Sequence, residues 1–430
     1  MKFTERELTK GVRLHLCETD KFKSLTCKVF IQQELKDRDA TSTALLPLLL
    51  RRGSERFPST LQIARELEDL YAAEFGADVL KIGERQILEF YLQMVEPSLL
   101  PQGEELLERG LRSFWEIFTK PQGPGNRFVD SYFEQEKSTL EQDIKGLVND
   151  KRSYAQVRLI ALMCAEEPYG IYKYGDLKDL PGLKNQDVFA HYQKLLREHP
   201  IDIFCVGQNL EGVARLLSSL IPPRQETVEL APKTQSTVAE ARYFEETMDV
   251  NQAILVLGYR TNCSYHDDDY YYALLVANGI LGGFAHSKLF VNVREKASLA
   301  YFVGSGLEGS KGLLTITAGI SPDQEEQALA IIAEQVKALQ SGDITSEELE
   351  QTKRGITGAM TTITDSPAGV IDRNLLGLVE GEYRSLDQVV EAIWKVTHDD
   401  CVRVMQKIQL DTTYVLKSDG SKEGAEDATN

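Results

Sequence analysis

The sequence predicts an α+β fold made of two similar halves, and three observations carry that expectation. First, "IPPRQETVELAPKTQSTVAEARYF", residues 221–244, is rich in Pro, Thr, Gln and Glu and lacks apolar periodicity. It divides the 430-residue chain near its middle, leaving halves of about 200 residues, a usual domain size. Second, the halves end alike, with "DVFAHYQKLLREHPIDIFCVG" from Asp187 and "DCVRVMQKIQLDTTYVLKSDG" from Asp400. A constant offset sets Val188, Tyr192 and Leu195 against Cys401, Met405 and Ile408 on a helical face, then Ile201 and Ile203 against Tyr414 and Leu416 on a strand. Third, strands open each half and helices follow without strict alternation, which favours α+β over a doubly wound sheet. The expected division is 1–220, a linker 221–244, 245–417, and a polar tail 418–430 that is expected to be disordered.

The elements follow in order. "GVRLHLCE", "SLTCKVFIQQEL" and, after the linker, "NQAILVLGYRT" alternate apolar and polar residues as strands do. "PSTLQIARELEDLYAAEFG" places Ser59 and Gln62 as a capping box, with Leu61, Ala64, Leu67 and Tyr71 along one stripe. Thr345 and Glu348 repeat that device in "TSEELEQTKRGITGAM". "SPDQEEQALAIIAEQVKALQSG" reads as an amphipathic helix, acidic at its start and stopped at Gly342. "VGSGLEGSKGLLTI", residues 303–316, is Gly-rich without a P-loop ending and reads as a turn between strands.

Composition narrows the class. Apolar residues make up 42% and charged residues 27%, enough for packed interiors under a charged surface. No stretch approaches the roughly 18–20 apolar residues of a membrane span, and "MKFTERELTKG" lacks a secretory h-region, so a cytoplasmic location is expected. A net charge of −18 argues against nucleic acid or an anionic membrane as main partner. Six cysteines without a C-x-x-C pair lie mostly in apolar segments and read as buried free thiols.

The most informative stretch is "ILGGFAHSKLFVNVREKASLAY", residues 280–301. It resembles the segment LGGG-x-x-SRLF-x-x-LREK-x-GLAY of the M16 (pitrilysin or insulinase-like) peptidases, through Gly282 and Gly283, "SKLF", "REK" and "LAY". "HDDDYYYALLVANGILGG", "SPDQEEQALAIIAEQ" and "CAEEPYGIYKYGDLKDL" are similar to family segments in family order, so the resemblance spans nearly the whole chain. It implies two homologous LuxS/metalloenzyme-like domains, each a mostly antiparallel sheet with packed helices, forming a clam-shell.

Active members carry H-x-x-E-H on a helix and a further glutamate some 75 or more residues later. Two imidazoles one turn apart plus a carboxylate leave one zinc position open, and the intervening Glu is the general base. Aligned on Gly53, the motif falls on "ALLPL". Ala44 and Leu48 replace the histidines and Pro47 the glutamate; none of these binds metal or takes a proton. Pro47 is expected to delay or bend the helix. Glu134 in "SYFEQEKSTLEQDI" best matches the distal ligand, with a solvated helix glutamate as the alternative. His266 with Asp267, Asp268 and Asp269 is the one dense His/Asp cluster; helix capping is the plain reading and a metal site the other.

Arg294 and Tyr301, seven residues apart, match the family's substrate-clamping pair. A guanidinium donates a fork of hydrogen bonds to a peptide carbonyl, and a phenol can donate to the developing oxyanion. If helical, the segment would set both on one face; a surface Arg and a core Tyr are the alternative. Ala297 and Ser298 replace the family's usual Arg and Gly.

The resemblance is greatest to zinc-less M16-like proteins of Gram-positive bacteria associated with 5-aminopentanol modification of elongation factor P, which occur with a zinc-bearing M16 partner. It implies a subunit without a cofactor of its own, paired with a partner that holds the zinc, and gripping an extended peptide. A peptide-binding scaffold and a self-sufficient hydrolase with unrecognised ligands are the competing readings.

Overall fold

The computed structural model describes residues 1–231, 234, 238 and 240–418; the tail expectation at 419–430 lies outside the described residues. The chain forms two compact units, each α+β. The first comprises Met1–Lys145, Ile171–Pro232 and Thr364–Leu376; the second comprises Gly146–Gly170, Lys233–Ile363 and Gly377–Asn430. Thus the expected boundary at the linker is crossed twice, because each unit takes a short segment from the other half of the sequence.

The first unit is built on β1 (Thr4–Thr9), β2 (Val12–Glu18), β3 (Ser24–Glu34), β4 (Glu74–Ile82), β5 (Arg85–Val95) and β6 (Ile201–Gly207), in the order β1-β2-β6-β3-β5-β4. Every pairing is antiparallel except β2 with β6. The second unit is built on β7 (Arg242–Met248), β8 (Ala253–Arg260), β9 (Ala300–Glu308), β10 (Leu313–Ile320) and β11 (Gln409–Ser418), in the order β7-β11-β8-β10-β9. Again one pair, β7 with β11, is parallel. In both units the strand after the closing helix is inserted between the parallel partner and the first long antiparallel strand, so the duplication read from the chain ends is real. An Arg–Asp pair bridges each parallel pair: Arg13 to Asp202 at 2.8 Å and Arg242 to Asp411 at 2.7 Å.

The offset holds for the helices and fails for the strands. Val188, Tyr192 and Leu195 are buried on Asn185–Glu198, and Cys401 and Met405 are buried on His398–Met405, while Ile408 lies just beyond that helix. Ile201 and Ile203 face the main helical layer of the first unit. Tyr414 and Leu416 instead face Lys151–Met163 with Ala155 and Leu159, and Val415 takes the inner face. Asp411 is an extra residue in the ladder to β8, and an odd shift exchanges the faces of a strand.

The exchanged segments cover the outer faces of the sheets. In the second unit, β8 is buried along its whole length for this reason. The covering segment is held by charge. Buried Arg260 on β8 donates to Glu167 at 2.6 Å, to Asp411 at 2.9 Å and to the Met163 carbonyl at 3.1 Å, and Lys311 meets Glu167 at 2.5 Å. Burial alone would raise Glu167 and Asp411; their cationic partners prevail and hold both carboxyls below the usual range. In the first unit, buried Lys28 on β3 lies 2.7 Å from both Glu89 and Asp372, the latter on the segment from the second half. The expected one-face alternation of these strands is therefore absent, because both faces are covered.

Local signals hold well. Ser59 accepts from the Gln62 amide, Thr345 and Glu348 cap each other reciprocally, and Gly342 closes its helix at φ +86°. The 303–316 segment is a β9–β10 hairpin turn closed by Gly312 at φ +70°. Residues of the expected linker run along the first unit, with the Val228 amide on the Glu198 carbonyl and the Ala231 amide on Glu34. Of the stripe expected on Thr60–Asp69, only Leu67 packs against the core. Leu61 is 60% and Tyr71 51% exposed, Ala64 is exposed, and the buried face carries Ile63 and Glu66. Arg109 and Ser113 each meet the Glu66 carboxylate at 2.7 Å and make its burial tolerable. All six cysteines are free and buried. Among the described residues, no helix is long and apolar enough to cross a membrane.

Candidate functional site

Ala44, Pro47 and Leu48, the positions expected to replace the zinc motif, lie on Asp37–Leu50, a helix that continues through Pro47, so its start is not delayed as expected. Packing holds it: Ala44, Leu45, Leu46, Leu49 and Leu50 are all at most 3% exposed in the first unit's core. Burial from both sides thus outweighs the missing amide of Pro47. Polar groups on this helix turn inward as well. Thr43 Oγ1 is 2.7 Å from His191 Nε2 and 2.8 Å from Gln33, which in turn donates to Gln86 at 2.6 Å.

A zinc ion does not fit these residues. Ala44, Pro47 and Leu48 offer no ligand atom, and their surroundings are apolar. Glu134 lies on Asp130–Gly146 with its side chain 70% exposed, 4.0 Å from Lys137, so the solvated-glutamate alternative describes it. The buried stripe of that helix is Phe133, Glu136 and Leu140, at i, i+3, i+7 spacing. Glu136, not singled out from sequence, is 7% exposed and 3.4 Å from Arg52. Burial raises its carboxyl, and Arg52 and Arg51 oppose that shift only in part. Among the described residues no group of three or more His, Cys, Asp or Glu side chains is placed to hold a metal.

His266 lies 3.4 Å from Glu380 and 3.5 Å from Glu382. Asp267 stands at the N-cap of Asp268–Asn278 but makes no side-chain cap bond; its carboxylate accepts from the Ser264 amide instead. The side chains of Asp268 and Asp269 lie outside the described residues.

The Arg/Tyr segment differs from a plain helix. Gly279–Gly283 and Phe290–Lys296 are π-helical turns, a form that recurs at functional sites. Gly282 is needed at the first, since a Cβ would come within 2.6 Å of the Ser305 amide on β9. The second is closed by the Ala297 amide on the Asn292 carbonyl, five residues back at 3.2 Å. Ser298 then takes φ +54°, the left-handed conformation that Gly adopts without cost. The Leu299 amide returns to the Val293 carbonyl at 3.0 Å, and both side chains are buried.

Arg294 and Tyr301 are therefore not on one helical face; the first is on the π-turn and the second on a strand. The Arg294 side chain is 44% exposed, and its guanidinium lies 4.8 Å from the Phe290 ring, with Glu295 3.8 Å away. Tyr301 is 60% exposed, not a core residue. Ala300 pairs with Ile320 and Phe302 with Gly319, which leaves Tyr301 as the extra residue of a bulge on β9, the sheet edge. Bulges at edges re-aim a side chain and interrupt pairing. Arg152 stacks 4.8 Å from the neighbouring Phe302. Chemically, the arrangement presents an exposed tyrosine and an exposed arginine beside a strand edge that no strand pairs among the described residues.

Two cavities lie within single units. One of about 640 Å³ is lined by residues including Trp115, Leu196, Leu220 and Arg224 of the first unit. The other, of about 590 Å³, is lined by residues including Tyr270, Tyr272, Arg384 and Arg403 of the second. Neither is lined by the zinc-motif positions, Arg294 or Tyr301.

The family described as "Peptidase M16 inactive domain" matches residues 182–356. A Bacillus subtilis (strain 168) protein named "Probable inactive metalloprotease YmfF" is 34% identical over 409 residues, covering 95% of this chain and 96% of that protein. A second protein of that organism, "Uncharacterized zinc protease YmxG", is 34% identical over 149 residues, 34% of this chain and 36% of its own length. The crystal structure of a conserved protein from Enterococcus faecalis V583 superposes with a TM-score of 0.91 at 28% identity, covering 97% and 99% of the two chains. Sharing 34% identity with the YmfF relative over nearly its whole length, and matching the family model over 182–356, the chain belongs to the M16 peptidase family.

Proposed function

We propose that this chain is the zinc-less subunit of a two-chain M16 peptidase, and that it contributes Arg294 and Tyr301 as a clamp on the peptide substrate. The observation that carries this reading is the contrast between the two motifs. Ala44 and its helix neighbours pack into the core, whereas Tyr301 is 60% exposed on a bulge of the edge strand β9. A tyrosine kept only for packing would be buried. An extended peptide adds to such an edge through its main chain. The Arg294 guanidinium and the Tyr301 hydroxyl then donate to its carbonyl oxygens. The zinc belongs to a companion M16 chain, and Bacillus subtilis, which has one relative named a probable inactive metalloprotease and another named a zinc protease, supports the pairing of two such chains. Participation in 5-aminopentanol modification of elongation factor P is the pathway assignment that accompanies this reading.

The test is reconstitution with the zinc-bearing M16 chain of the same genome. The mixture should cleave a peptide library that neither chain cleaves alone. Tyr301→Phe and Arg294→Ala should assemble normally and lose about 100-fold in rate, the scale of one lost oxyanion donor. Unchanged rates in both variants would leave the second reading, a catalytically silent peptide-binding or scaffold protein.

A further inference from the structure

Cys27 and Cys205 occupy directly opposite positions on the antiparallel strands β3 and β6, at the centre of the first sheet. Their sulfurs are 3.0 Å apart, and both residues are at most 1% exposed. Cys17, on β2, is level with Val206 and has no such placement. Opposed residues in an antiparallel pair have Cα atoms about 4.5–5.5 Å apart, inside the range of about 4.4–6.8 Å that a disulfide spans. A bond between them needs the sulfurs to close by about 1 Å, from strand positions whose usual separation a disulfide spans.

We propose that Cys27 and Cys205 are a site of reversible oxidative modification, forming a disulfide that staples β3 to β6. The oxidant is a low-molecular-weight disulfide such as oxidised glutathione. Two S–H bonds break and one S–S bond forms in the protein, while the two electrons and two protons convert the oxidant to two thiols. The geometry carries this inference without the clamp assignment. Burial sets its kinetics. The thiolate forms only when the sheet and its helical layer open transiently, and the same cover shields the product from reductant. The pair is therefore slow to close and slow to reopen. The bond joins residues 178 apart, so it restrains a long stretch of the unfolded chain and favours the native state.

The experiment uses the full-length reduced protein. It is brought to equilibrium in a glutathione buffer dominated by the oxidised form, with dilute urea to speed opening, then denatured, alkylated and mapped by peptide mass. The expected map joins the Cys27 and Cys205 peptides and shows alkylated Cys17, Cys164, Cys263 and Cys401. The oxidised protein should unfold at higher urea, and dithiothreitol should reverse the shift. Cys205→Ala should abolish both the cross-link and the oxidant-dependent shift, and Cys17→Ala should keep them. Cys27 and Cys205 found alkylated, carrying glutathione, or joined to other cysteines at equilibrium would overturn the proposal; the wild-type map decides this even if Cys205→Ala does not fold.

Discussion

Replacing Arg260 with methionine would test how the second unit holds the segment it takes from the first half of the sequence. The Arg260 side chain is 7% exposed and joins Glu167 at 2.6 Å and Asp411 at 2.9 Å, whose side chains are 5% and 6% exposed. Removing one partner of a buried ion pair costs about 3–5 kcal/mol because a charge is left uncompensated. Here each carboxylate keeps a second cation, Lys311 for Glu167 and Arg242 for Asp411. Methionine also keeps most of the apolar contact of the stem. The loss should therefore fall near the lower end, about 3 kcal/mol. With a slope of about 2–3 kcal/mol/M, the urea midpoint drops by about 1 M. Arg242→Met, whose side chain is 42% exposed, should cost no more than about 1 kcal/mol. Hydrogen exchange should locate the weakening at Gly146–Gly170 before the rest of the unit. The sign with pH follows from the lowered carboxyls: their stabilisation is present above the ordinary carboxylate range and is lost as pH falls through the folded-state values. In Arg260→Met that acid sensitivity should shrink. A loss below 1 kcal/mol, or equal losses in the two variants, would refute the reasoning.

Two further outcomes rest on single residues. Ser298→Gly relieves a left-handed conformation that costs a non-glycine residue about 1 kcal/mol, partly offset by the greater freedom of glycine when unfolded. Thermal unfolding should show a gain between about 0 and 1 kcal/mol, and a loss above 1 kcal/mol would mean that the serine side chain is doing something else. His191 is pushed down to about 4 by burial, with Asp39 opposing the shift. A depressed histidine binds its proton more weakly when folded, so its contribution is whole above about pH 6.5 and is lost as pH falls towards 4, about 3 kcal/mol in all. Urea unfolding at stepped pH should show this loss in the wild type and a smaller one in His191→Gln; parallel profiles would rule it out.

What the sequence by itself determined was local and repetitive. Periodicity and caps located the helices and strands, because a cap is satisfied by its neighbours three residues away: Ser59 with Gln62 and Thr345 with Glu348. The duplicated ending was legible for the same reason, and the reading of Ala44, Pro47 and Leu48 as replaced zinc-motif positions rested on the family resemblance aligned at Gly53. Tertiary structure decided which face of each element is covered. Leu61 and Tyr71 point to solvent while Glu66 is buried, since Arg109 and Ser113, some 43 and 47 residues away, supply its partners. Glu134 and Glu136 are indistinguishable as letters, and only packing turns one outward and the other onto Arg52. The Pro47 helix stays intact because its neighbours are buried on both sides, and the bulge that frees Tyr301 exists only in the pairing of β9 with β10. The exchange of segments between units left no mark on composition, because burial and charge pairing are settled by residues distant in the chain, and a sequence read in windows cannot bring those together.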